Sequence, residues 1–376
     1  MLNSIKSNYI LKKIFDNVEK NLYLRLLKNN KNLQNKLDLS IDTYKEYYDQ
    51  IEIDIIPKEK NLEEKNIFMT KSEVLDYKVY FNSSFEDVKR NYFTNTEKIS
   101  KIRLFLDTKG VAQPLCSLFG KCQCLKEVKI IHCAKNNITD ISDMFLNCKS
   151  LISVDLSRLK VENVENMSAL FAMCTSLKNV NLSKIKTDNL KNMEHMFVNC
   201  SSLEKIDLSN FKTDKVTTMK GLFTGCSSLK KLKISNFKTD NVTDMEFMFS
   251  KCSLLTQLDL TNFNTKNVTT MCGMFTGCSL LEQLNISNFN TRKVLYMQNM
   301  FSGCSSLKKL DISNFNTDNL VSMWNMFNNC NSLVDLDISN FNLKKVEYMK
   351  GAFEKCPDEL IKKVKADNKY LKGEAF

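Results

Sequence analysis

The chain has 376 residues, is 43% hydrophobic and carries a formal net charge of +11. Nine Gly and three Pro exclude a collagen-like or Gly/Pro-rich disordered chain, and no apolar run approaches the roughly 18 residues needed to cross a bilayer. The opening Met1-Leu-Asn-Ser-Ile-Lys-Ser lacks the apolar stretch of a secretory leader; the expectation is a cytoplasmic, reducing setting in which the 14 cysteines are thiols.

Residues 1–100 are nearly neutral, with 17 basic and 16 acidic side chains, so the excess charge lies further on. Ile10, Leu11, Ile14, Phe15 and Val18 have helical spacing, and Leu22, Leu26, Leu33 and Leu37 continue it. This predicts a helical N-terminal module over 1–56, although Ile51-Glu-Ile-Asp-Ile-Ile-Pro57 alternates like a strand. Residues 57–100 read as a linker or N-terminal cap. Lys101-Ile-Arg-Leu-Phe-Leu-Asp107 alternates again and is expected to open a repeat region over 101–356.

That region has a fixed period. Cysteines at 122, 148, 174, 200, 226, 252, 278, 304, 330 and 356 are all 26 residues apart, and each follows a Phe by three residues, from Phe119 to Phe353. A period in the twenties signals a solenoid, in which each unit buries its apolar sides only by stacking on the next. Within a unit, Leu229-x-x-Leu232-x-Ile234 alternates with polar residues and predicts a short strand. Val242, Met245, Met248 and Phe249 are spaced i, i+3, i+6, i+7, which predicts a short helix capped by Thr239 or Asp240. About ten such units would stack their strands into a parallel sheet at roughly 4.8 Å per step. After the Pro357 break, residues 357–376 read as a capping helix and tail.

The unit Met-x-x-Met-Phe-x-x-Cys-x-Ser-Leu-x-x-Leu-Asp-Leu-Ser-Asn-Phe-x-Thr-x-Asn-Val resembles the BspA-like leucine-rich repeat family. The resemblance covers about residues 115–356, with Ser305–Cys330 matching almost throughout. It implies an α/β repeat solenoid, a right-handed stack with a parallel sheet on one face and short helices on the other. It further implies protein binding or adhesion, with display at the cell surface as the family's alternative to a cytoplasmic location. Phe211, Phe237 and Phe263 stand where many leucine-rich repeats place Asn, which here precedes them as Asn210, Asn236 and Asn262. Ile-Leu-x-x-Ile-Phe at 10–15 faintly resembles an F-box, implying an adaptor that recruits substrates to a ubiquitin ligase; the usual Leu-Pro is missing.

The cysteine ladder reads as buried thiols, because equivalent residues on stacked units have parallel side-chain vectors and a disulfide needs facing ones. Cys122, Cys124, His132 and Cys133 invite a metal, yet Cys122 and Cys133 fill repeat slots and their spacing misses zinc modules. Neither a cofactor nor a metal is expected. With no phosphate loop, Ser elbow or carboxylate pair, and only His132 and His195 as histidines, the chain reads as non-enzymatic. Sequons at Asn137, Asn166, Asn199 and Asn267 follow from the repeat composition. Function is expected on the outward strand positions: Lys205, Asp207, Lys231, Lys233, Gln257, Asp259, Gln283, Asn285, Lys309, Asp311, Asp335 and Asp337. The partner expected there is a protein or peptide, bound by a monomer. Nucleic acid is not expected, since aromatic platforms interleaved with Arg are lacking on that face.

Overall fold

The computed structural model describes residues 7, 30–37, 50–58, 65–68, 76–82, 84, 86–94, 96–107, 115–133, 137–160 and 162–376. The F-box-like segment at 10–15 lies outside them. The described residues of the N-terminal module include a short helix, α1 (Lys31–Lys36), whose first turn is capped by the Asn30 side chain at 3.2 Å from the Leu33 N–H.

The rest is a leucine-rich-repeat-like solenoid with an antiparallel strand group at its N-terminal end. Strands β1 (Gln50–Pro57), β3 (Tyr77–Phe81), β5 (Ile102–Asp107) and β6 (Leu125–Cys133) join β7 (Ser153–Asp155) and β8 (Asn179–Asn181) in one sheet of order β3-β5-β1-β6-β7-β8. A small pair, β2 (Lys65–Asn66) with β4 (Tyr92–Phe93), sits beside it. Residues 50–57 and 102–107 form strands, as their alternation predicts. They run antiparallel to each other, and β1 is antiparallel to β6 as well, so 101–107 does not open the stack. The parallel stack begins at β6, and the antiparallel strands close its N-terminal end. Without them the edge of β6 would present unpaired backbone groups to solvent.

From β6 onward every register step is 26 residues: Val128 beside Val154, and Val154 beside Val180. The pattern continues in pairs through β9 (Lys205–Asp207) with β10 (Lys231–Lys233), β11 (Gln257–Asp259) with β12 (Gln283–Asn285), and β13 (Lys309–Leu310) with β14 (Asp335–Leu336). A second parallel ladder runs half a coil away, as single-residue bridges from Asp140–Asn166 to Ser322–Tyr348.

The predicted backing helices are absent among the described residues of the coils. The segment Met219–Cys226 shows why. The N–H groups of Met219, Gly221, Phe223 and Gly225 bond to carbonyls of the next coil (Asp244, Glu246, Met248 and Ser250), whereas those of Leu222, Thr224 and Cys226 close turns onto the residue three before. Donors spent alternately on a neighbour and on i−3 leave none for the i−4 bonds of an α-helix. The geometry needs a positive φ at two places per coil, four residues apart, such as Gly221 (59°) and Gly225 (73°). At Gly221 a Cβ would also run into the His195 imidazole of the preceding coil.

The apolar residues given to the helix face do fill the core. Phe119 to Phe353 form one column of rings, with successive centroids 5.3–5.9 Å apart and planes within 23°, and Phe376 continues it at the end. Each such contact is worth about 0.5–1.5 kcal/mol beyond area burial. Thr239, expected as a helix cap, is fully buried and instead bridges two coils. Its Oγ1 donates to the Asn264 carbonyl (2.9 Å) and accepts the Asn264 N–H (2.8 Å). Thr187, Thr213, Thr265, Thr291 and Thr317 repeat this bridge. Asparagines 236, 262, 288, 314 and 340 donate to the carbonyl of the preceding coil's Phe at 2.6–3.1 Å, so the Asn-Phe order still makes an asparagine ladder. The helix α2 (Asp358–Asp367) buries Leu360 and Val364 against the last coil, and Asn368 extends the asparagine ladder to Phe341 at 2.7 Å.

Candidate interaction surface

All 14 cysteines are thiols, and those from Cys148 to Cys356 in the repeat slot donate to the Phe carbonyl of the preceding coil at 2.9–3.2 Å. Burial pushes Cys226, Cys278 and Cys174 up to about 12, so they stay protonated and donate. Only a thiolate alkylates. Native protein treated with iodoacetamide near neutral pH is therefore expected to label Cys116 and, slowly, Cys272, the two half-buried thiols; desolvation pushes Cys272 up to about 11. The other twelve should react only in denaturant. Rapid native labelling of any of the repeat-slot thiols, read by mass spectrometry, would refute the packing. Among the described residues no group of three or more His, Cys, Asp or Glu is placed to hold a metal ion. Cys124 donates to the Asn66 carbonyl at 3.1 Å, on the cap side of the first coil.

The twelve predicted contact residues are all exposed on the outer face of the sheet, because strands of two or three residues bury only their central apolar side chain. They fall into two rows. In the row at the strand ends, every residue but Lys233 is bonded within its own coil. Asp207, Asp259, Asn285, Asp311 and Asp337 each accept, through Oδ1, the N–H two residues on, at 2.8–3.2 Å. These bonds end the strand and start the next turn. Asp207 also accepts from the Ser209 hydroxyl and from Lys233 (2.9 Å), and the Ser209 bond above all holds its carboxyl down at about 2. Bonds to Ser313 and Thr261 hold Asp311 and Asp259 below the usual range.

The row at the strand starts is different. Lys309 pairs with Asp335 at 3.1 Å. The side chains of Lys205, Lys231, Gln257 and Gln283 have no hydrogen bond or ion pair to another described residue. Parallel register puts Lys231 beside Lys205 and Gln283 beside Gln257. Two ammonium groups and two amides thus stand side by side at strand spacing, about 4.8 Å. The alternation of the sequence showed that these side chains point outward; it could not show which of them the fold itself consumes.

A family model described as "Mycoplasma protein of unknown function, DUF285" matches residues 113–206, 199–284 and 255–365, spanning the stack from its first coil into α2. The chain belongs to this DUF285 family. The overlapping matches suit a family defined by a recurring coil. Two solved structures are also similar: a leucine-rich repeat protein of T. pallidum (TpLRR), at 16% identity over 66% of this chain and 91% of that one with a TM-score of 0.34, and a leucine-rich cell surface protein of Faecalibacterium prausnitzii, at 14% identity over 62% and 82% with a TM-score of 0.24. Comparison with curated proteins gives no match. No helix among the described residues is long and apolar enough to cross a membrane.

Proposed function

We propose that this DUF285 solenoid is a non-enzymatic recognition protein that binds a protein or peptide partner on its exposed sheet face. The observation that carries this reading is the row Lys205, Lys231, Gln257 and Gln283, exposed and unused by the fold, while the neighbouring Asp and Asn row is held in turns. Side chains that stabilise nothing internally are free to meet a partner, and a partner gains from groups that need not first break an internal bond. The basic end of the row suits a partner with acidic side chains opposite Lys205 and Lys231. A rigid sheet also holds these groups at fixed spacing, which lowers the ordering cost of binding.

The test is affinity capture with the full chain, then measured affinity for the protein recovered. Lys205→Glu with Lys231→Glu is expected to weaken binding at least about tenfold, or about 1.4 kcal/mol. Lys362→Glu, on the exposed side of α2, serves as a control at a site remote from the row and should bind as the parent does. Equal binding by the double variant removes the row as the contact.

A further inference from the structure

Half a coil from the sheet face, the second ladder has its own rule. The side chain at each rung precedes the first Met-type residue of the coil and normally accepts the N–H two residues on. Asp140, Asn166, Asn192, Thr218, Asp244, Thr270 and Ser322 all do so. Tyr296 and Tyr348 occupy the same rungs and cannot, because a phenol oxygen lies too far from its own backbone to close that turn. Two residues past the Ser322 rung stands Trp324, the chain's single tryptophan. The two tyrosines break the pattern on either side of the coil that carries Trp324, and Tyr296, Tyr348 and Trp324 are 42%, 61% and 48% exposed. Exposed apolar residues matter when they are contiguous, and Trp324 and Tyr348 share one groove.

Trp324 and Tyr348 line a groove of about 440 Å³ with Gln298, Glu347, Lys350 and Glu374. The size falls within the roughly 300–1,000 Å³ of small-ligand sites. The lining defines what fits. Gln298, half-buried, lines the floor of the groove with its amide. Among the described residues, none of Glu347, Lys350 and Glu374 is in an ion pair. An anionic ligand would face two carboxylates against the single Lys350 ammonium. A neutral ligand whose groups both donate and accept satisfies the amide, the carboxylates and the ammonium together. It must also offer a C–H face to the electron-rich ring faces.

We propose that this groove binds a neutral pyranose unit of a glycan, with the sugar's C–H face on Trp324 and Tyr348 and its hydroxyls on Gln298, Glu347, Lys350 and Glu374. A pyranose has both features: hydroxyls that donate and accept along its edge, and polarised C–H bonds over one face. The site is separate from the sheet face and stands or falls independently of it.

Trp324 is its own reporter. Titration of the full chain with neutral hexoses, N-acetylhexosamines and their oligomers is expected to give a saturable change in tryptophan emission, tighter for at least one oligomer than for its monomer. Tyr348→Ser restores the turn-forming residue type found at Ser322, so the variant should unfold at or above the parent's midpoint while losing affinity at least about tenfold. Gln298→Ala should also lose affinity. The proposal is overturned if no neutral saccharide moves the emission at tens of millimolar, if folded Tyr348→Ser binds as the parent does, or if a proline-rich peptide or a charged sugar binds more tightly than every neutral one.

Discussion

Replacing Phe249 with alanine is expected to destabilise the protein by about 3–5 kcal/mol. The ring is fully buried and stacked between Phe223 at 5.9 Å and Phe275 at 5.8 Å. Its neighbours cannot close over the space left, because each is fixed in its own coil by bonds on both sides; Phe249 N–H itself bonds the Met274 carbonyl at 2.9 Å. A void that cannot collapse carries the full cavity cost. The position is near the middle of the column. In a stack whose coils touch only their neighbours, a weak central contact uncouples the two halves. Urea unfolding should therefore show a lower midpoint and either a reduced slope or two transitions. A single transition at the parent midpoint would show that the phenyl column does not hold the coils together.

Thr239→Val is expected to cost about 2–6 kcal/mol, although the two side chains have nearly the same shape. The hydroxyl of the fully buried Thr239 serves the Asn264 N–H and carbonyl at once, at 2.8 and 2.9 Å. Valine leaves both backbone groups buried without that partner, at about 1–3 kcal/mol each. Thr239→Ser keeps the hydroxyl and removes one methyl, so it should lose only about 1 kcal/mol. Denaturation midpoints of the two variants separate the bond from the packing: if serine costs as much as valine, the bridge between coils is not what the threonine supplies.

The helix expectation failed for an identifiable reason. Val242, Met245, Met248 and Phe249 suit a helix by spacing alone, and they suit equally a coil of successive turns that points every third or fourth side chain inward. The discriminating signal was present at other positions. Gly221, Gly225, Gly273, Gly277 and Gly303, with Asn199, Asn299, Asn325 and Asn329, recur at the two places per coil that have positive φ. Gly and Asn are the residues that tolerate that conformation, and a helix interior has no use for it. The threonine before each supposed helix was equally ambiguous, since a small hydroxyl serves an N-cap and a bridge between coils alike.

The period of 26, the thiols and rings it buries, and the outward direction of the strand side chains were determined by the order of residues alone, because each coil meets a near-identical neighbour and local pattern therefore repeats as packing. What the coil's own bonds are could be decided only when one unit lay on the next, since they are made to carbonyls 25 to 29 residues away. The same holds for the antiparallel strands that close the N-terminal end, for which outward side chains are left unpaired, and for the groove that Trp324 and Tyr348 line: the period says which coils are neighbours, and only the packed coils decide which side chains find partners across them.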